Sequence, residues 1–130
     1  MRRRRQGRRR GSGGTRGPLL EELRNNRSKK FELAEVMGSL VEFCGDQHGS
    51  RFSQQQLETC SAEDKQRVFE DILPHSYALM EDVYGNYVIQ KFFDHGAPEH
   101  VRVLADHLRG HMMELSMQMY GCRVIQKALE

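Results

Sequence analysis

The sequence predicts an all-α fold built as a helical-repeat solenoid, and three observations carry that expectation. Apolar residues beyond Pro18 recur at helical rather than alternating spacing, as in Leu19, Leu20, Leu23 and again in Phe31, Leu33, Val36, Met37, Leu40. Gly85-Asn-Tyr-Val-Ile-Gln-Lys91 and Gly121-Cys-Arg-Val-Ile-Gln-Lys127 match at five of seven positions, 36 residues apart. Gly49-Ser-Arg-Phe-Ser-Gln-Gln55 stands another 36 residues upstream. Three equal spacings are hard to obtain by chance, and 36 residues is the size of one helical unit that buries its apolar face against its neighbours rather than in a closed core. The same offset pairs Asp46 with Asp82, Phe43 with Leu79 and Leu115, and Leu57 with Phe93 and Leu129.

Taken in order, residues 1–17 hold eight Arg and no acid, with Gly, Ser, Gln and Thr between them and nothing to bury. They predict a disordered tail. Such a run serves as a nuclear or nucleolar address or a non-specific RNA-binding arm; a solvated tail without a role, a cloning remnant or an unusual translation start are equal alternatives. The remaining 113 residues carry 12 Lys+Arg against 18 Asp+Glu, so a +8 tail precedes a −6 body. A net acidic body argues against binding through one large positive field, and nucleic acid would have to be held by local contacts and stacking. Pro74 and Pro98 mark junctions between helices of about a dozen residues. Asp82, four residues before Asn86, is suited to cap the helix that follows.

Three widely spaced cysteines, Cys44, Cys60 and Cys122, with no apolar leader, argue against a disulfide framework and for a reducing compartment. No apolar run reaches the roughly 18 residues of a membrane span, so no membrane partner is expected. Cys44 and His48 are one turn apart, but no second pair has ligand spacing, so no metal is expected; Cys44 reads as a small apolar filler. No nucleophile, base and orienting acid assemble, nor paired carboxylates, nor a phosphate-binding Gly loop after a strand. The sequence therefore predicts neither enzyme nor cofactor.

At about 100° per residue, Asn86, Tyr87, Gln90 and Lys91 share one face of a helix, and Val88, Ile89, Phe92 and Phe93 the other. The third copy divides likewise, with Cys122, Arg123, Gln126 and Lys127 outward and Val124, Ile125, Ala128 and Leu129 inward. Each polar face pairs a small hydrogen-bonding residue with a Gln one turn later, and between them stands a planar side chain: Arg51, Tyr87 or Arg123. Gln offers a donor and an acceptor to a base edge, while Tyr and Arg planes stack on base faces. The geometry alone leaves open a solvated Gln and a Tyr87 that merely covers the seam between units, since most helical repeats bind proteins.

The Asn86-to-Lys91 and Cys122-to-Lys127 cores resemble the repeats of the Pumilio, or PUF, family. Leu19-Leu-Glu-Glu-Leu-Arg-Asn-Asn-Arg27 looks like the capping segment of animal Pumilio proteins, and Asp46-Gln-His-Gly-Ser-Arg-Phe52 like their first repeat. The resemblance implies a right-handed, Pumilio/armadillo-like solenoid truncated after about two and a half 36-residue repeats. Its expected divisions are a cap at about 18–36, repeat 1 at about 37–72, repeat 2 at about 73–108 and a partial repeat 3 at 109–130. It implies sequence-specific binding of single-stranded messenger RNA in 3′ untranslated regions, in post-transcriptional repression or messenger RNA decay, and a cytoplasmic location. By the family's recognition pattern Ser50 with Gln54 and Cys122 with Gln126 address adenine and Asn86 with Gln90 uracil, while Arg51, Tyr87 and Arg123 stack. Since chain and RNA run antiparallel in the family, the three sites read 5′-A-U-A-3′. Co-repressor or deadenylase-complex proteins on the convex face are implied partners; a protein-binding scaffold or a non-functional truncated isoform are the alternatives.

Two residues depart from the pattern: Ser53 stands where the other copies have Ile89 and Ile125, and Gln55 where they have Lys91 and Lys127. The family's domain has eight repeats, whereas this chain stops inside the second helix of a third. That predicts a fragment, a truncated isoform or a partial gene product, with Val124, Ile125 and Leu129 exposed at its end and a frayed, poorly soluble last repeat.

Overall fold

The computed structural model describes residues 17–25 and 31–130. The predicted tail therefore lies, Gly17 excepted, outside the described residues. Those residues form ten α-helices and no strand. In chain order they are α1 (Pro18–Asn25), α2 (Leu33–Val36), α3 (Leu40–Cys44), α4 (Gln47–Thr59), α5 (Ala62–Ile72), α6 (Ser76–Glu81), α7 (Gly85–His95), α8 (Pro98–Arg109), α9 (Met112–Ser116) and α10 (Gly121–Leu129). α3, α6 and α9 begin 36 residues apart, as do α5 and α8, so the sequence period is the period of the fold. Each full unit is a short helix, a long helix carrying the repeated motif, and a closing helix.

The apolar run from Phe31 to Leu40 does not make one helix. It breaks at a 3₁₀ turn, Met37–Ser39, because Val36 (φ −102°, ψ 0°) and Ser39 (φ −120°, ψ 16°) leave the helical region. The next unit breaks at the same place, Leu73–His75, where Pro74 has no N–H to donate back along a helix. Pro98 is the first residue of α8, where its missing N–H is an orphan in any case.

Glycine opens the motif in all three copies because the long helix crosses tightly over the end of the short one. A Cβ at Gly49 would lie 2.4 Å from the carbonyl oxygen of Phe43; at Gly121 it would lie 2.8 Å from that of Leu115, and at Gly85 2.8 Å from a Leu79 methyl. Phe43, Leu79 and Leu115, themselves 36 apart, are buried beneath these crossings. α4 packs against α3 and α7, and α7 against α4, α6 and α10, which sets the three motif helices side by side. α1 covers the outer side of α4, with Leu20 buried.

The core runs along the stack, from Val36 and Phe43 through Ile72, Val88, Ile89 and Phe92 to Leu115 and Val124. The expectation of an exposed chain end holds only in part. Val124 and Ile125, predicted to be exposed, are buried, because α10 turns that face back onto α7, α6 and α9. Leu129, the third residue expected to be exposed at the end, is 75% exposed, and Phe93 and Ala128, on the inward side of the wheel, are only partly buried. Leu57, the equivalent of Leu129 in the first copy, is covered. Ser53 is buried and satisfied: its hydroxyl donates to the Gly49 carbonyl at 2.9 Å. The first unit thus forgoes one aliphatic side chain, on the order of 1.5–3 kcal/mol of burial, without orphaning a polar group. Beside Ser53 the buried Cys44 thiol is pushed up to about 12 by loss of solvent, so it fills space as an unreactive thiol.

Candidate nucleic-acid interface

The amino ends of α4 and α7 are tied down by an aspartate. Asp46 Oδ2 accepts from the amides of His48 (2.9 Å) and Gly49 (3.0 Å), and Asp82 Oδ2 from those of Tyr84 (2.9 Å) and Gly85 (2.8 Å). The capping role expected of Asp82 is present, and it recurs one unit earlier. In the third unit the equivalent residue is Gln118, whose amide donates instead to Glu81 (2.8 Å) and whose Oε1 is buried without a partner.

These caps fix the depth of the next turn. Ser50 and Asn86, expected on the outward polar face, are both buried. The wheel treats a helix as isolated, whereas here Ser50 reaches the loop before the next long helix and Asn86 is drawn onto the turn before its own. Ser50 Oγ donates across the seam to the Tyr84 carbonyl (2.9 Å). Asn86 Nδ2 donates to the carbonyls of Asp82 (2.8 Å) and Val83 (3.0 Å). Each then accepts from the Gln one turn later: Gln54 Nε2 to Ser50 Oγ at 3.1 Å, and Gln90 Nε2 to Asn86 Oδ1 at 2.8 Å. Each glutamine amide is thereby oriented, with Oε1 and one N–H left beside each other for a partner. In the third unit Cys122 Sγ leans on the Met119 carbonyl (3.2 Å), and Gln126 is exposed.

The three planar side chains are exposed, as expected. Arg51 and Arg123 face solvent, and Tyr87 is 39% accessible. Arg123 Nη1 donates to the Tyr87 hydroxyl at 2.7 Å, and its guanidinium lies 5.7 Å from the centre of the Tyr120 ring.

Lys91 and Lys127, read as outward, are instead mostly covered and paired across the seams. Lys91 meets Glu58 of the preceding unit; Lys127 meets Asp94 at 2.8 Å and Glu130 at 3.4 Å. The Lys91 ammonium holds the Glu58 carboxyl below its usual range, and Asp94 raises the Lys127 ammonium above its own. Glu58 and Asp94 are again 36 apart, so the repeat period itself carries a signal for this pairing. Gln55, the departure in the first copy, forms no such clip. Among the described residues of the three long helices' motifs, Arg51 and Arg123 are the cations without such a clip, fewer than the sequence suggests. Among the described residues no group of three or more His, Cys, Asp or Glu could hold a metal, and no helix is long and apolar enough to cross a membrane.

The model of the Pumilio-family RNA binding repeat matches residues 39–73, 75–109 and 111–130. The chain is 55% identical to Pumilio homolog 1 of Xenopus laevis over 115 residues, which is 88% of this chain and 10% of that protein. It is 47% identical over 88 residues to the mRNA-binding protein puf3 of Schizosaccharomyces pombe, covering 67% and 12% respectively. Among solved structures it superposes on a Puf3 RNA binding domain bound to a Cox17 RNA 3′ UTR recognition sequence, with TM-score 0.83, 50% identity, and 87% of this chain on 32% of that one. PUF-8 in complex with PBE-RNA gives a TM-score of 0.78 at 39% identity, 85% of this chain covering 33% of that one. The chain thus spans about a tenth of the curated relatives' length and about a third of the solved chains. With a matching family model over most of its length and the same helical units underneath, the chain belongs to the Pumilio family of RNA-binding repeats.

Proposed function

We propose that this chain binds single-stranded RNA through α4, α7 and α10, each long helix addressing one base. The observation that carries the reading is the oriented glutamine. Gln54 and Gln90 are each held by a buried residue one turn earlier, so that a free donor and acceptor sit beside an exposed planar side chain. Packed helix axes lie about 8–10 Å apart, so successive long helices present their planar side chains as a ladder of stacking surfaces. Stacking there is worth on the order of 1–3 kcal/mol per base and asks for no strong positive field.

On this reading Ser50 with Gln54 and Cys122 with Gln126 take adenine, Asn86 with Gln90 takes uracil, and the sites together read 5′-A-U-A-3′. The relatives named for messenger RNA and 3′ UTR binding support the RNA partner; the proposal extends it to post-transcriptional repression or decay in the cytoplasm, with co-repressor proteins on the opposite face. The test is fluorescence anisotropy of the full chain with labelled UGUAUAUA and with UGUAUCCC at physiological salt. The Arg tail contributes equally to both, so the ratio reports the sites. A preference of roughly tenfold or more for the first RNA is expected: stacking tolerates any base, so what the second RNA loses is the edge hydrogen bonds, on the order of 0.5–1.5 kcal/mol each. Equal affinities from a folded chain would overturn the reading.

A further inference from the structure

We propose that the Tyr87 hydroxyl is a positioning group for Arg123, which it presets as the stacking plane of the third site. The proposal rests on the RNA reading above. An exposed arginine has on the order of 2 kcal/mol of rotamer entropy to lose when fixed, and a plane fixed before the ligand arrives loses less on binding. Arg123 is exposed, yet it is held from two directions. Its Nη1 donates to the Tyr87 hydroxyl at 2.7 Å, and its guanidinium lies 5.7 Å from the Tyr120 ring centre. Tyr120 is one turn earlier on the same side of the third unit, whereas Tyr87 belongs to the second.

Tyr87 therefore has two separable duties. Its ring is a stacking surface of its own site, and its hydroxyl acts one unit further along. The hydroxyl points toward Arg123 and not back toward Arg51, so the influence runs in one direction, from the second site to the third. A base entering beside Arg123 meets a guanidinium whose plane is set by two rings from two different units.

Tyr87→Phe separates the duties, since it keeps the ring and removes the acceptor. In the RNA-free full chain the Arg123 Nε–H signal, followed by NMR, is expected to exchange faster with water in this variant. Affinity for UGUAUAUA is expected to fall roughly three- to tenfold, the scale of one hydrogen bond, with the thermal midpoint unchanged. In an Arg123→Ala background the same tyrosine change is expected to cost nothing further, because the coupling of the pair is what it removes. Unchanged or tighter binding by Tyr87→Phe, or an equal loss in both backgrounds, would overturn the proposal while leaving the RNA reading intact. If the parent chain shows no preference for UGUAUAUA over UGUAUCCC, the RNA reading itself falls. The NMR comparison, which needs no RNA, then still decides whether Tyr87 holds Arg123.

Discussion

Asn86 Oδ1 accepts a 2.8 Å hydrogen bond from Gln90 Nε2 while the Asn86 amide nitrogen is anchored to two backbone carbonyls beneath it. The residue expected to touch a base edge directly is also the post that aims its neighbour.

Replacing Asn86 with Ala should therefore do two things at once. It should orphan Gln90 and lower stability by about 1–3 kcal/mol, the usual cost of breaking a buried polar network, and it should erase the base preference of the second site. Asn86→Ser, which copies the Ser50–Gln54 arrangement, should keep an acceptor for Gln90 and move that preference from uracil to adenine. Denaturant melts and anisotropy on RNAs varied at one base check both; a serine variant that still prefers uracil would show that Asn86 aims Gln90 without reading the base.

The paired clips, Glu58 with Lys91 and Asp94 with Lys127, should tie neighbouring units together. Reversing one charge, as in Asp94→Lys, should lower the thermal midpoint, and the swap Asp94→Lys with Lys127→Asp should restore part of it. The difference should shrink near 1 M salt, where the screening length is about 3 Å. Glu58 has a depressed folded value, so its clip is at full strength above the ordinary carboxylate value of 4.5 and is lost as pH falls below it. Lys127 has a raised one, so its clip is at full strength below 10.5 and is lost as pH rises through the higher folded value.

His100 should make the second unit acid-sensitive. Its Nδ1 accepts the Ala97 amide (3.1 Å), so Nε2 carries the proton and donates to Gln66 Oε1 (2.7 Å), joining α8 to α5, while the ring stacks 4.3 Å from Phe69. Burial, and secondarily the charge of Lys65, hold the imidazole below its ordinary 6.5; Glu99 pulls the other way. The neutral form is the folded one, so its contribution is full above 6.5 and declines as pH falls beneath that value. His100→Phe should melt lower at neutral pH and lose this part of the pH dependence. A variant with the parent's acid profile would assign the sensitivity elsewhere.

Gly49→Ala should be the most damaging of the alanine changes at glycine, at about 1–3 kcal/mol, because a Cβ there meets the Phe43 backbone. Gly85→Ala should cost less where the Leu79 methyl can turn aside, and Gly38→Ala, with nothing within 4 Å, should be neutral or slightly stabilising. Differential scanning calorimetry orders the three.

The architecture was readable because a solenoid writes its geometry into the chain three times: Gly49, Gly85 and Gly121 mark the same tight crossing, and each is followed by the same pattern of faces. What the helical wheel misjudged was depth. Ser50 and Asn86 lie on the polar side of their own helices, yet Ser50 bonds into the loop before α7 and Asn86 into the turn before its own helix, contacts no single-helix projection contains. His100 left no trace because its register partner is Asp64 and the third unit does not reach that position. Val124 and Ile125 were misplaced because an inward face has two sides, and they use the one toward the preceding unit.

The clips also have a direction. In both, the carboxylate belongs to the earlier unit and the ammonium to the later. A chain emerging from a ribosome presents its amino end first, so each new long helix arrives with its cation where an anion already waits on finished structure. The stack can grow like masonry laid in one course after another, with Lys91 and Lys127 each finding its anion of the preceding unit already in place.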